Sequence, residues 1–477
     1  MAVAAPAPIP GSSGAPSAPV NAGLVSRRQV LASATASIAV VGFGVLPAAL
    51  RASVALAEPP HRGPDTFAAT VATSWFDLLA DLVRSTTGFS PPVASRAFAY
   101  AGVTLYETVA PGSPGHRTLA GQLRGLSVLP RVVGGPYHWE LAANAALAAI
   151  TRGLWPTAPP SSRKAVDRLE ERFATESGGS VPPGLARRSE RFGRDVAAAV
   201  LAWSATDGGH EGYLHNFPSD HVPPKGPGMW VPTPPDFLPA LQPRWGSNRP
   251  FCLSSPTSCP SDAPTPYSED PASPWIAEAR EVQEAVNGLT PEQQAIARFW
   301  ADDPGETSTP PGHSISIATQ LLRTRNTDLL AAAELYARLA IAVADAFIAC
   351  WHTKYAVNLL RPITTIQQLL DPAWGGPLRP LPVITPPFPE YPSGHSVQSA
   401  ATAAVLTSAF GAATAFTDTT HLDRGLPART FLSFDAAAEE AAISRLYGGI
   451  HFRPAIIDGL AQGRCVGEAA NALVLAT

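Results

Sequence analysis

The sequence predicts an all-α protein with long proline-rich connections. Three observations carry this expectation: apolar residues recur at spacings of three and four, no section is rich in strand patterns, and 51 prolines with 38 glycines demand irregular links between helices. A hydrophobic fraction of 45% over 477 residues supports a large buried core. The formal charge of -4 gives no reason to expect nucleic acid or an anionic membrane as partner, so any bound anion must be held by a local cluster of charge.

The N-terminus is predicted to lie outside the fold. Arg27-Arg28 precede an Ala/Val/Gly-rich apolar run that ends at Ala55-Leu56-Ala57, the order of features of a twin-arginine export signal with cleavage after Ala57. Residues 1–57 are therefore assigned as leader and signal, 58–290 as an N-terminal helical region, and 291–477 as a C-terminal helical domain.

Helical spacing begins near Thr66 in "TFAATVATSWFDLLADLVRST", and Ser90-Pro91-Pro92 is a helix-start signature for the next segment. Further helices are expected at 137–154, 162–176, 185–206, 273–287 and 291–301. Between about 207 and 268 the periodicity vanishes in a segment too rich in Pro, Trp and Phe for a simple linker, which predicts an ordered wrap over the helical core. His210, His215 and His221 fall there at spacings that fit no metal motif. The longest helix is expected at 328–360. Glu334, Arg338 and Asp345 interrupt it, so it reads as a core helix and not a membrane span. Cys252 and Cys259 flank "LSSPTS", where a short disulfide loop is plausible, while Cys350 and Cys465 lie in apolar helical patterns and read as small buried hydrophobes.

Three short motifs concentrate the chemistry. Lys354 is followed seven residues later by Arg361-Pro362, and on a helix turning about 100° per residue both cations return to nearly one face. They either converge on an anion or form a solvated basic face. In "PFPEYPSGH", Ser393 can cap the alanine-rich helix that follows and Gly394 lets a ligand approach the backbone, so helix-start amides and His395 meet at one place. In "AAISRLYGGIHFRP", six helical steps would splay Arg445 and His451 by about 120°, but Gly448-Gly449 offers a break that re-aims His451. Three fixed cations, a capped helix start and two histidines suit a tetrahedral oxyanion such as phosphate or vanadate.

These motifs, K-x6-R-P, P-S-G-H and S-R-x5-H in that order, resemble the signature of the vanadium-dependent haloperoxidase and type 2 phosphatidic acid phosphatase superfamily. "FWADDPGETSTPPGH" and "PFPEYPSGH" resemble its bacterial soluble haloperoxidase-like branch. The resemblance implies two four-helix bundles. It also implies that Lys354, Arg361, Ser393, Gly394 and Arg445 hold the equatorial oxygens of vanadate, that His451 is the axial ligand, and that His395 is the acid–base group. Lys354 would polarise hydrogen peroxide, and halide attack would yield hypohalous acid. Trp351 and Phe388 resemble aromatics of a halide pocket, and Asp303 resembles an acid that pairs with the cage arginine.

The motifs equally support a soluble acid phosphatase that cleaves a phosphoester through a phosphohistidine at His451, with phosphate in the cage. A third reading is a non-catalytic oxyanion binder. Its motive is Ala455, because the family pattern often carries an aspartate four residues after the ligand histidine to orient it. Asp458 or a backbone carbonyl is the expected substitute.

Overall fold

The structure, a computed structural model, describes residues 62–476. The expected twin-arginine signal and cleavage after Ala57 lie outside the described residues. Thirteen α-helices account for most of what is described: α1 (Thr70–Ser85), α2 (Pro91–Val109), α3 (Trp139–Leu154), α4 (Pro160–Gly178), α5 (Pro183–Ser204), α6 (Pro274–Asn287), α7 (Pro291–Phe299), α8 (Thr309–Thr324), α9 (Leu329–Val357), α10 (Pro362–Leu369), α11 (Gly394–Phe410), α12 (Phe434–Tyr447) and α13 (Arg453–Asn471). Most begin with proline in the first turn, where a missing N–H has no helical partner to lose. α8 is not among the helices that periodicity predicts, because Pro310, Pro311 and Gly312 read as loop. Two short strands, β1 (Phe416–Asp418) and β2 (Arg429–Phe431), pair antiparallel. Among the described residues no helix is long and apolar enough to cross a membrane.

The core helix α9 joins two groups of helices, packing on α2 to one side and on α11 and α13 to the other. α3 and α5 extend the first group, and α12 closes the second against α11 and α13. The three charges that interrupt α9 each anchor a remote segment. Glu334 meets His116. Arg338 donates to the carbonyls of Ala470 and Asn471 at the end of α13, at 2.9 and 2.7 Å. Asp345, fully buried, accepts the backbone N–H groups of Phe251, Cys252 and Leu253 at 2.6–3.0 Å.

The proline-rich segment is an ordered wrap, as its aromatics predict. Trp230, Trp245 and Phe251 are buried, and the backbone is stitched to the end of α9 and to the loop before α11. Trp230 donates to the Asn358 carbonyl at 2.9 Å, and Leu241 to that of Pro387 at 2.8 Å. Gly246 is required by contact, since a Cβ there would stand 2.3 Å from the His352 backbone.

Two expectations from sequence are corrected. The disulfide joins Cys259 to Cys465, 206 residues apart, with Cα atoms 5.7 Å from each other. Cys252 is free because Asp345 pulls its backbone and thiol inward, and Cys465, expected as a buried hydrophobe, instead ties α13 to the wrap. Closing so long a loop restricts the unfolded chain strongly. Replacing both Cys259 and Cys465 by Ser should lower stability by about 2–5 kcal/mol, read as a fall in the guanidinium midpoint; an unchanged midpoint would refute a stabilising bond. Second, α9 ends at Val357 and not Leu360. Asn358 takes the left-handed conformation (φ 54°) and donates its N–H to the Lys354 carbonyl, after which the chain runs extended into Arg361.

Candidate active site

Lys354 is on the last turn of α9, while Arg361 is the N-cap of α10. The seven-residue helical face that predicts their convergence does not exist. They meet because the left-handed turn at Asn358 folds the chain back, and both side chains are fully buried. Ser393 caps α11 as expected, accepting from Ser396 N–H at 3.3 Å, with Gly394 and His395 in the first turn. Arg445 is on the last turn of α12. The Gly448-Gly449 break, with Gly449 at φ 75°, turns the chain so that His451 enters the same place just ahead of α13.

Lys354, Arg361, Arg445, His395 and His451 are drawn together, with Ser393 and Gly394 at the helix start beside His395. Arg361 Nη1 donates to the Ile450 carbonyl at 2.8 Å and stands 3.3 Å from His451 Nε2, while its Nε donates to the Phe388 carbonyl at 2.8 Å. The Lys354 ammonium directs all three of its N–H groups at backbone carbonyls, those of Pro389, Glu390 and Pro392 at 2.9, 2.9 and 2.6 Å. It must release one of these to meet a ligand directly. Arg445 Nη1 donates to the Trp300 carbonyl at 3.0 Å. Arg445 Nε and His395 Nε2 are buried polar atoms without a partner. The Phe388 ring packs 4.9 Å from Trp351, with Lys354 and Arg361 at 5.0 and 4.8 Å from its centroid.

Glu390 is the residue that sequence reading missed. Its Oε1 lies 2.8 Å from His451 Nδ1 and accepts the Phe452 N–H at 2.9 Å. With the Nδ1 proton held there, the Nε2 lone pair faces Arg361 and the centre of the site. Glu390 supplies the orienting acid that is missing at Ala455, in place of the expected Asp458 or backbone carbonyl. Asp458 bonds Tyr391 instead, at 2.8 Å, and the Ala455 carbonyl accepts the Ser393 N–H at 2.9 Å. The available signal was a single acid among the prolines of "PFPEYPSGH".

Burial governs the electrostatics. It pulls Lys354 down to about 7 and Arg361 down to about 9, each assisted by a neighbouring cation and opposed by Glu390. It lowers Arg445 to about 10 against the pull of Asp303 and Asp302, so Asp303 acts on the cage arginine through space. Burial, then Arg361, Lys354, Arg445 and His395, hold His451 well below the usual imidazole range, which leaves it neutral. His395 is likewise depressed by burial and Arg445. Glu390 is pushed up to about 7 by burial, although Lys354 and Arg361 oppose the shift. Three buried cations face one carboxylate at this centre. A tetrahedral oxyanion of high charge balances such a site and gives Arg445 Nε and His395 Nε2 a partner, so the residues present fit vanadate, and phosphate by the same chemistry.

His210, His215 and His221 take no part in it. Among the described residues, the histidine–carboxylate group close enough to hold a metal is Asp302, His313 and His421, which lies beside the cage and not in it.

The helical fold and the buried cation-and-histidine centre define a helical protein built around an oxyanion-type site. Residues 334–476 match the family model for the VCPO second helical-bundle domain. A solved bacterial vanadium-dependent iodoperoxidase superposes with a TM-score of 0.78 at 36% identity, covering 88% of this chain and 99% of that one. A holo-type bacterial vanadium-dependent chloroperoxidase superposes with a TM-score of 0.62 at 18% identity, covering 81% and 92%, a likeness of fold. The chain belongs to the vanadium haloperoxidase superfamily. No curated protein matches it in sequence.

Proposed function

We propose that this chain is an exported vanadium-dependent haloperoxidase that oxidises halide with hydrogen peroxide. The observation that carries the reading is His451, a neutral imidazole whose Nδ1 is fixed by Glu390 and whose Nε2 faces three buried cations. When bound, vanadate supplies a Lewis acid that activates peroxide.

Nε2 of His451 would be the ligand atom, and Arg361, Arg445, Lys354, the Ser393 hydroxyl and the Gly394 amide would hold the oxygens. Arg361 is held in place by the Phe388 and Ile450 carbonyls, so its charge is positioned in advance, whereas Lys354 contributes charge at a distance unless it gives up one of its three carbonyl partners. His395, neutral and with Nε2 free, would accept a proton from peroxide and return it to the leaving oxygen. An oxyanion beside it offsets Arg445 and raises its basicity. Phe388 and Trp351 would present an apolar wall to a weakly hydrated halide. Iodide is the halide to test first, because the 36%-identical relative is described as an iodoperoxidase.

Mature protein purified without phosphate should oxidise iodide or bromide with hydrogen peroxide only after orthovanadate is added, and phosphate should compete. Aryl phosphate hydrolysis inhibited by vanadate, with no halide oxidation, would make the protein a phosphatase. Export rests on Arg27-Arg28 and Ala55-Leu56-Ala57. N-terminal sequencing of exported protein should begin at Glu58, and a retained leader would end that part of the proposal.

A further inference from the structure

Beside the cage is a buried charge cluster that the proposed chemistry does not use. His313, the last residue of "FWADDPGETSTPPGH", has Nδ1 2.8 Å from Asp302 Oδ2 and Nε2 2.7 Å from Asp418 Oδ2. His421 Nε2 lies 3.2 Å from the other oxygen of Asp302. All four residues are buried. They come from separate places: the turn after α7, the start of the second turn of α8, β1, and the segment following β1.

We propose that His313, clamped between Asp302 and Asp418, is a positioning residue for the oxyanion cage, acting through the turn at Trp300–Asp302 to fix Arg445 and His395. The inference rests on the proposed function and extends it to residues outside the cage.

The turn connects the two sites atom by atom. The Trp300 carbonyl accepts from Arg445 Nη1 at 3.0 Å, and the Trp300 backbone also acts on the charge of His395, favouring its protonated form. His395 Nε2 has no hydrogen-bond partner within the protein. The Trp300 indole is itself held from two sides. It stacks on the His313 ring, centroids 4.7 Å apart and planes 18° from parallel, and its Nε1 donates to Glu440 at 3.0 Å. Two residues on, Asp302 is buried in the left-handed conformation, φ 51°. A non-glycine residue stays there only where its surroundings over-determine it. Here the hydrogen bond to His313 does so, with His421 close by as a second charged neighbour when protonated.

The protonation of the cluster follows from its geometry. Each nitrogen of His313 faces a carboxylate oxygen, so both must donate and the ring is an imidazolium. Burial works against that charge, but Asp302 and Asp418 outweigh it and lift His313 to about 10. Asp302 thereby stays ionised next to Arg445, whose own charge it supports. A buried ionic group of this kind is rarely the most stable filling of its space, since apolar side chains of equal volume often do as well. What it adds is one defined position for the turn. β1 has a corresponding purpose: its last residue, Asp418, closes the clamp, and Thr420 Oγ1 and N–H bond the oxygen that His313 leaves free, at 2.6 and 2.9 Å.

The test is orthovanadate affinity of the full mature chain, measured by calorimetric titration beside a thermal melt. Affinity for the wild type is measured first, and no binding there would end the oxyanion reading and this inference together. Given wild-type binding, His313→Gln and Asp302→Asn should each weaken affinity by about tenfold or more while the proteins remain folded at the assay temperature. Asp418→Asn, whose carboxylate touches nothing in the cage, should lose affinity in the same direction by a smaller factor. If the cluster only stabilises the fold, these variants melt earlier but bind vanadate as the wild type does, and the inference is overturned. Should His313→Gln fail to fold, Asp418→Asn decides. A divalent metal bound stoichiometrically to the wild type and lost in His421→Ala would also overturn it, by making Asp302, His313 and His421 a metal site.

Discussion

Replacing His395 by Ala should lower halide-oxidation turnover by about 10²–10⁴-fold while leaving vanadate affinity nearly unchanged. The two effects separate because His395 contributes no cation to the cage. Burial and Arg445 keep it neutral, and its Nε2 has no partner within the protein. A neutral imidazole adds little to the binding of an oxyanion held by Lys354, Arg361 and Arg445, but it is placed to carry a proton that none of those cations can accept. Steady-state kinetics at saturating vanadate, with a parallel titration of the apoprotein, reads both quantities. Unchanged turnover would remove His395 from the chemistry, and a loss of affinity as large as the loss of turnover would make it a binding residue instead.

The second large effect is expected at Glu390. Glu390→Ala should weaken vanadate binding by about 10–100-fold, the range for losing a group that orients a ligand histidine. Without the carboxylate the His451 Nδ1 proton and the Phe452 N–H are both buried without an acceptor, at about 1–3 kcal/mol for each. The imidazole can then adopt the other tautomer, which presents an N–H and no lone pair to the cage. Glu390→Gln should fall between Ala and the wild type, because an amide oxygen in the Oε1 position still accepts both N–H groups but carries no charge. Equal affinity in all three proteins would show that His451 needs no orienting acid.

Much of the helical architecture was legible locally. The spacing in α1 to α7 and α9 is a property of neighbouring residues, and prolines and capping serines mark the starts at Pro91, Pro274 and Gly394. The cage residues were legible as well, since Lys354, Arg361, Ser393, Gly394, His395, Arg445 and His451 stand in three compact motifs. The reasoning about them held unevenly. Gly448-Gly449 does break the chain where the spacing required it, whereas Lys354 and Arg361 converge through a left-handed turn at Asn358 that no apolar pattern announces. α8 was hidden because Pro310, Pro311 and Gly312 suit a first helical turn as well as a loop.

Helical character, an ordered proline-rich wrap and three compact motifs that gather cations and two histidines are all written in local stretches of this sequence. Which acid serves which histidine and which cysteines bond follow from contacts between distant parts of the chain. Glu390 reaches His451 across 61 residues, Asp418 reaches His313 across 105, and Cys259 reaches Cys465 across 206. Periodicity and capping are written in residues a turn or two apart, where the backbone fixes their relative direction. Long-range partners depend on how α9, α11, α12 and α13 pack and how the wrap crosses them, and that is settled by burial of the whole core and not by any one stretch of chain.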